Sequence, residues 1–174
     1  MSSRTTGGKS SSQRAFLVLS RQLRELLRHP NDHFSVGLVD EANVFLWEVL
    51  IVGPRDTLYE GGLFKAHLTF PGNFPDSPPS MRFLSEMWHP NIARNGLVCI
   101  STLHHPNAES YGYEDASQRW SPVHSVETII MSVISMLSDP NVESPANLDA
   151  AIEMRRNYEA YKRHVRALAQ KTLI

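Results

Sequence analysis

Cysteine is nearly absent from this chain: 174 residues contain one, Cys99. A single thiol excludes an internal disulfide and any zinc cluster built from cysteines. Long apolar runs are missing as well. Nothing approaches the roughly 18–20 consecutive apolar residues that span a bilayer, and the first residues lack the apolar core of a signal peptide. Neither sign of charge predominates, since Lys plus Arg number 17 and Asp plus Glu 18, for a net charge of -1. That balance gives no electrostatic basis for nucleic acid or an anionic membrane as the main partner. The expectation is a soluble protein of the cytosol or nucleus with no membrane anchor of its own.

What is present is enough apolar material, 41% of residues, to close one core, and the length fits one domain. Residues 1–12 are almost all Ser, Thr, Gly and Lys and cannot bury apolar surface. They read as a disordered tail, with the domain spanning 13–174. Phe16, Leu19, Leu23 and Leu26 recur at alternating spacings of three and four, the stripe of an amphipathic helix. Arg14, Arg21, Arg24 and Arg28 fall largely outside it, and His29-Pro30 ends it, because the residue before proline avoids helical geometry.

The period then drops to two. Phe34, Val36 and Leu38 mark a first strand, Phe45, Trp47, Val49 and Ile51 a second, Phe64, Ala66, Leu68 and Phe70 a third, and Met81 with Phe83 a short fourth. Turn signals at Asp40-Glu41, Gly61-Gly62 and the prolines from Pro71 to Pro79 separate them. Short connections predict an antiparallel meander. Helical periodicity returns at Val126, Ile129, Ile130, Val133, Ile134 and Leu137, behind Ser125 as N-cap and with Glu127 in the first turn. Asp139-Pro140-Asn141 closes that helix. Asn147 or Asp149 can cap another, and Tyr161, Val165 and Leu168 continue a stripe to the C-terminus. The fold class is α+β.

Between the strands and these helices lies an irregular stretch, Ser85 to Val123, which holds Cys99. A long irregular segment in a compact domain is usually functional or disordered, and Trp88, Trp120 and several prolines argue for an ordered one. The residues alone leave Cys99 open between a small buried apolar side chain and a reactive thiol. No Cys-His-Asp triad stands out, and His104-His105 read as ordinary loop histidines, since adjacent histidines rarely bind one ion together. No metal site is expected. A thiol can also act as a carrier, because a thioester splits one hard acyl transfer into two easier steps. The tetrahedral oxyanion on that path needs a positioned donor such as an Asn amide, and the attacking amine needs a base. A carrier that accepts an existing thioester needs little activation, so the lack of an evident base beside Cys99 does not oppose the role.

His89-Pro90-Asn91, with Asn91 eight residues before Cys99, resembles the signature of the ubiquitin-conjugating enzymes. Gly53-Pro54, Tyr59-Glu60-Gly61-Gly62, Phe70-Pro71 through Pro78-Pro79, Trp120-Ser121-Pro122 and Asp139-Pro140-Asn141 stand where that family has them. The resemblance covers roughly 14–171. His104 to Arg119, with Tyr111-Gly112-Tyr113-Glu114, looks like the insertion of the G-type branch, and Val126-Glu127-Thr128 and Ser144-Pro145-Ala146-Asn147 resemble it too. The resemblance implies the ubiquitin-conjugating (UBC) fold: an N-terminal helix, a four-stranded antiparallel meander, a long active-site loop and C-terminal helices. It implies a monomeric transferase that accepts ubiquitin from the activating enzyme on Cys99 and passes it to lysine with a RING-type ligase, building degradation-type polyubiquitin chains. It implies no cofactor, because the activating enzyme uses the ATP. The place of action implied is cytoplasmic or nuclear, with recruitment to the endoplasmic reticulum through a partner left open.

Residue by residue, the resemblance makes Cys99 the thioester carrier and gives Asn91 either the oxyanion or the loop to hold. It makes His89 and Pro90 structural parts of the catalytic loop. Arg14 and Arg21, with Arg24, would face the activating enzyme, and Phe74, Asp76, Pro122 and Val123 the ligase. Three departures stand out. Ser144, preceded by Glu143, occupies the place of an Asp that aids lysine deprotonation in many relatives, so Glu109, Glu114 and Asp115 of the inserted loop become candidates, against a merely solvated loop. The inserted loop is also less acidic than the branch's usual one, with Asn107 and Ala108 among its few carboxylates. Asp76 replaces the usual apolar residue after Phe74-Pro75. Two other readings are open: a binding module that keeps the fold without strong catalysis, and the same chemistry on another ubiquitin-like modifier.

Overall fold

The computed structural model describes residues 10–107 and 116–174. Helix α1 runs Ser11–Arg28, beginning two residues before the expected start of order at Gln13. The cause is a capping box: the Ser10 hydroxyl accepts the Gln13 N–H at 3.3 Å, and the Gln13 side chain accepts the Ser10 N–H at 3.1 Å. The buried stripe is centred on Ala15 and Leu19, with Leu23 and Leu26 partly buried. Phe16, expected in the stripe, is 51% exposed, because Ala15, fully buried, takes the inward place beside it.

Strands β1 (Phe34–Leu38), β2 (Leu46–Val52), β3 (Leu63–Thr69) and β4 (Ser80–Phe83) form one antiparallel sheet in sequential order. The register places Trp47 opposite Leu68, Val49 opposite Ala66 and Ile51 opposite Phe64, all buried on one face. The alternate residues Glu48, Lys65 and Arg82 lie on the other face. Helix α2 (Val126–Ser138) brings Val126, Ile129, Ile130, Val133 and Leu137 into the same apolar cluster as the inner face. Ser125 caps it, accepting the Thr128 N–H at 3.1 Å, and Gln22 of α1 accepts the Val126 N–H at 2.7 Å, tying the two helices together.

Helices α3 (Leu148–Arg156) and α4 (Tyr158–Lys171) follow, sharing Asn157 as C-cap of one and N-cap of the other. Of the two proposed caps for α3, Asn147 serves, accepting the Ala150 N–H at 3.0 Å. This order and sheet match the expected α+β plan.

Candidate active site

The stretch from Ser85 to Val123 is anchored to the core where it is described, through buried Met87, His89, Ile92, Val98, His104 and Trp120. Asn95-Gly96 turns it, with Gly96 at φ +92° and its N–H on the Ala93 carbonyl at 2.8 Å. A Cβ on Gly96 would sit 2.1 Å from the Phe83 carbonyl oxygen. The glycine therefore lets the chain lie against β4, where Phe83 N–H donates to Gly96 O at 2.8 Å and Val98 N–H to Met81 O at 2.9 Å. Cys99 comes next. Its N–H donates to Asn91 O at 2.8 Å, so the thiol stands directly on the His89-Pro90-Asn91 loop. It is partly exposed at the wall of a cleft of about 800 Å³, which Asn91, His104, Ser135, Asp139 and Glu143 also line. A partly exposed thiol at a cleft wall decides against the apolar core reading.

His89 is fully buried. Its Nδ1 accepts the Asn91 N–H at 2.9 Å and its Nε2–H donates to Met136 O at 2.9 Å. Burial is the chief cause that lowers its pKa from 6.5 to about 4, against a smaller raising effect of the Met136 and Leu137 carbonyls. The ring is neutral, with both nitrogens committed to backbone groups. Asn91 is 3% exposed, and its side-chain amide grips one backbone unit twice: Nδ2–H donates to Asn141 O at 2.7 Å and Oδ1 accepts Asn141 N–H at 2.8 Å. Asn91 thus holds the loop after α2, and its second Nδ2 proton remains for another acceptor. Asn147 N–H completes the junction on Pro90 O at 3.0 Å. Tyr59 supports it from behind, its hydroxyl on Trp88 O at 3.2 Å and its own pKa pushed well above 10 chiefly by burial.

Several expectations are corrected. Phe74, expected on the surface as a ligase contact, is 1% exposed and packs its ring on Phe70 and Trp120 in the core. Trp120 Nε1–H donates to Pro75 O at 2.9 Å, joining the loop of Asp76 to that of Pro122 and Val123, and Val123 is 87% exposed. Asp76 pairs with Arg14 at 3.3 Å, linking the loop to α1. Arg21 and Arg24 are exposed on α1. Glu109, Glu114 and Asp115 lie outside the described residues. Asp139 and Glu143 are carboxylates that sequence reasoning did not place beside the thiol and that line the cleft. His104, read as an ordinary loop residue, is buried with Nε2 3.4 Å from Cys99 Sγ. Its spacing of five from the cysteine was the available signal. Among the described residues no cluster of three or more His, Cys, Asp or Glu is placed to hold a metal, and no helix is long and apolar enough to cross a membrane.

The sequence profile of the ubiquitin-conjugating enzymes matches residues 18–169. The chain is 57% identical over 156 residues to ubiquitin-conjugating enzyme E2 15 of Schizosaccharomyces pombe, covering 90% of this chain and 93% of that protein. It is 56% identical over 158 residues to ubiquitin-conjugating enzyme E2 7 of Arabidopsis thaliana, covering 91% and 95%. The solved structure of human ubiquitin-conjugating enzyme E2 G1 superposes with a TM-score of 0.65 at 54% identity, covering 76% of this chain and all of that one. With a thiol seated on a His-Pro-Asn loop at the wall of a cleft, this chain belongs to the ubiquitin-conjugating enzymes, transferases that work through a cysteine thioester.

Proposed function

We propose that this enzyme takes ubiquitin from the activating enzyme onto Cys99 and passes it to lysine with a RING-type ligase, building degradation-type chains. The observation that carries the reading is the seat of Cys99, the chain's one thiol, held by Asn91 O and open to the cleft. The acyl group leaves the activating enzyme's sulfur for Cys99 Sγ, then leaves Sγ for the amine of a lysine. Asn91 faces the cleft with a spare Nδ2 proton suited to the oxyanion, while its other bonds keep the 139–141 loop in place.

Ser144 also lines this cleft and cannot take a proton as a carboxylate does. Glu143 beside it, together with Glu109, Glu114 and Asp115, is proposed to receive the lysine proton. Arg14 and Arg21 on α1 are proposed to meet the activating enzyme. Asp76, Pro122 and Val123 are proposed to meet the ligase, on loops that Trp120 binds together. The protein is proposed to act as a monomer in the cytosol or nucleus, with any recruitment to the endoplasmic reticulum through a partner.

The test is loading. The protein is mixed with activating enzyme, ubiquitin and ATP and run on a non-reducing gel. A ubiquitin-sized shift that reductant removes and Cys99→Ala abolishes is the expected result. No shift with ubiquitin, but one with another ubiquitin-like protein, would change the modifier. No shift with any would leave the fold as a binding module.

A further inference from the structure

We infer that His104 is the proton partner of the Cys99 sulfur, taking the thiol proton when the cysteine is loaded and returning it when the cysteine is discharged. The inference rests on the reading of Cys99 as a thioester carrier. Its first support is contact: His104 Nε2 lies 3.4 Å from Cys99 Sγ, within the range of a sulfur hydrogen bond. Its second is that the imidazole is held there by its backbone. The chain leaves Cys99 through a single 3₁₀ turn, Ser101–Leu103, after which His104 N–H donates to Ser101 O at 2.9 Å. His104 O accepts the N–H of Trp120, itself buried in the core, at 3.0 Å. Arg119 Nη1 adds a bond to Pro106 O at 2.9 Å, fastening the next stretch of the loop. A turn anchored on both sides keeps the ring buried beside the sulfur.

The neighbouring histidines make the contrast. His105 is exposed, and its Nδ1 accepts the Asn107 N–H at 3.2 Å. His89 is nearer in the motif, yet both its nitrogens serve backbone groups. Among the described residues, the other titratable side chains lining the cleft are Asp139 and Glu143. Both are carboxylates.

On loading, the S–H proton of Cys99 moves to Nε2 and the Sγ electron pair attacks the acyl carbon. The bond from that carbon to the activating enzyme's sulfur breaks, and that sulfur leaves with the pair. On discharge the lysine nitrogen bonds the acyl carbon, the C–Sγ bond breaks with its pair on Sγ, and the Nε2 proton returns to Sγ. The lysine proton goes to a carboxylate or to water, a separate transfer that His104 does not need to supply.

The test uses the thiol alone, with no ubiquitin pathway present. Alkylation of Cys99 by iodoacetamide is followed across pH, and the pH of half-maximal rate is read, because accessibility changes the plateau and not that midpoint. Wild type is expected to turn on well below the thiol's ordinary value of about 8.5. His104→Gln is expected to move the midpoint back toward it, lowering the rate near pH 6, relative to its own plateau, about tenfold. His105→Gln should leave the midpoint in place. Should His104→Gln fold poorly, wild type in guanidinium supplies the comparison, and its midpoint should lie above that of the native chain. Coincident midpoints for wild type and His104→Gln, or for native and denatured wild type, would overturn the inference. A shifted midpoint in a protein that cannot be loaded would sustain the sulfur–imidazole pair and refute the thioester reading instead.

Discussion

His89→Gln turns the buried ring of the catalytic loop into a measurable dependence of stability on pH. In the folded protein a proton on Nδ1 would have to displace the Asn91 N–H, in a site closed to water. The ring accordingly resists protonation down to about 4, whereas in the unfolded chain it titrates near 6.5. Above 6.5 neither state carries the proton, so His89 adds no pH dependence there. As pH falls from 6.5 toward 4 the unfolded chain takes up a proton that the folded one refuses, so stability falls. Below 4 both are protonated and the slope ends. The gap between 6.5 and about 4 corresponds to roughly 3 kcal/mol lost over that window.

Gln cannot titrate, so its variant keeps the fixed cost of imperfect packing and loses this slope. Urea unfolding at a series of pH values from neutrality to about 4 gives both curves. Subtracting one from the other cancels the remaining histidines and carboxylates. The stability difference should shrink on acidification by roughly 3 kcal/mol. A difference that stays constant across the window would refute the argument, and would mean that the ring accepts a proton in place.

Asn91→Ala removes both bonds to Asn141. Since Asn141 is an exposed residue that water can reach, the melting transition should record a loss of about 1–2 kcal/mol, and an unchanged transition would count against the clamp. Gly96→Ala forces a Cβ onto the Phe83 carbonyl at positive φ, for an expected destabilisation of about 1–3 kcal/mol, or more if β4 detaches, read by calorimetry. Glu143→Gln, set beside the joint replacement of Glu109, Glu114 and Asp115, should slow discharge to free lysine while leaving loading intact. Discharge at the wild-type rate in both variants would remove these carboxylates from the mechanism. Asp76→Leu breaks the exposed pair with Arg14, which should change stability by no more than about 1 kcal/mol. The same change should alter which ligases support chain building, and an unaltered ligase panel would speak against Asp76 as a contact.

The sheet was legible because a two-residue period has a single reading once one face is buried. Trp47, Val49 and Ile51 point inward together or not at all. Helix α2 was legible because its stripe is wide and its cap and stop are both written locally, in Ser125 and in Asp139-Pro140. The errors fall where local pattern leaves a choice that packing makes. Phe16 fits the stripe as well as Ala15 does, yet it is Ala15 that is buried and Phe16 that is exposed. Ser10 was assigned to the tail by composition, although Gln13 makes it a cap. The resemblance placed Phe74 at the ligase contact, but its ring fills the space between Phe70 and Trp120.

At the site the same division holds. The cysteine and its motif were legible; the function of each motif residue was not, because it depends on partners distant in sequence. Asn91 and Asn141 are fifty positions apart and meet through a single amide. His89 reaches Met136, forty-seven positions on, at the end of α2. The His-Pro-Asn and Asp-Pro-Asn strings are therefore two halves of one junction, and neither half shows its purpose alone. His104 is the opposite case, a near neighbour of Cys99 whose importance is set from afar. Its ring stays beside the sulfur because Trp120, sixteen positions later, fixes its carbonyl to the core. An inserted loop that merely lengthened the chain would leave such a histidine in water. One whose return is anchored by a buried tryptophan holds it against the thiol.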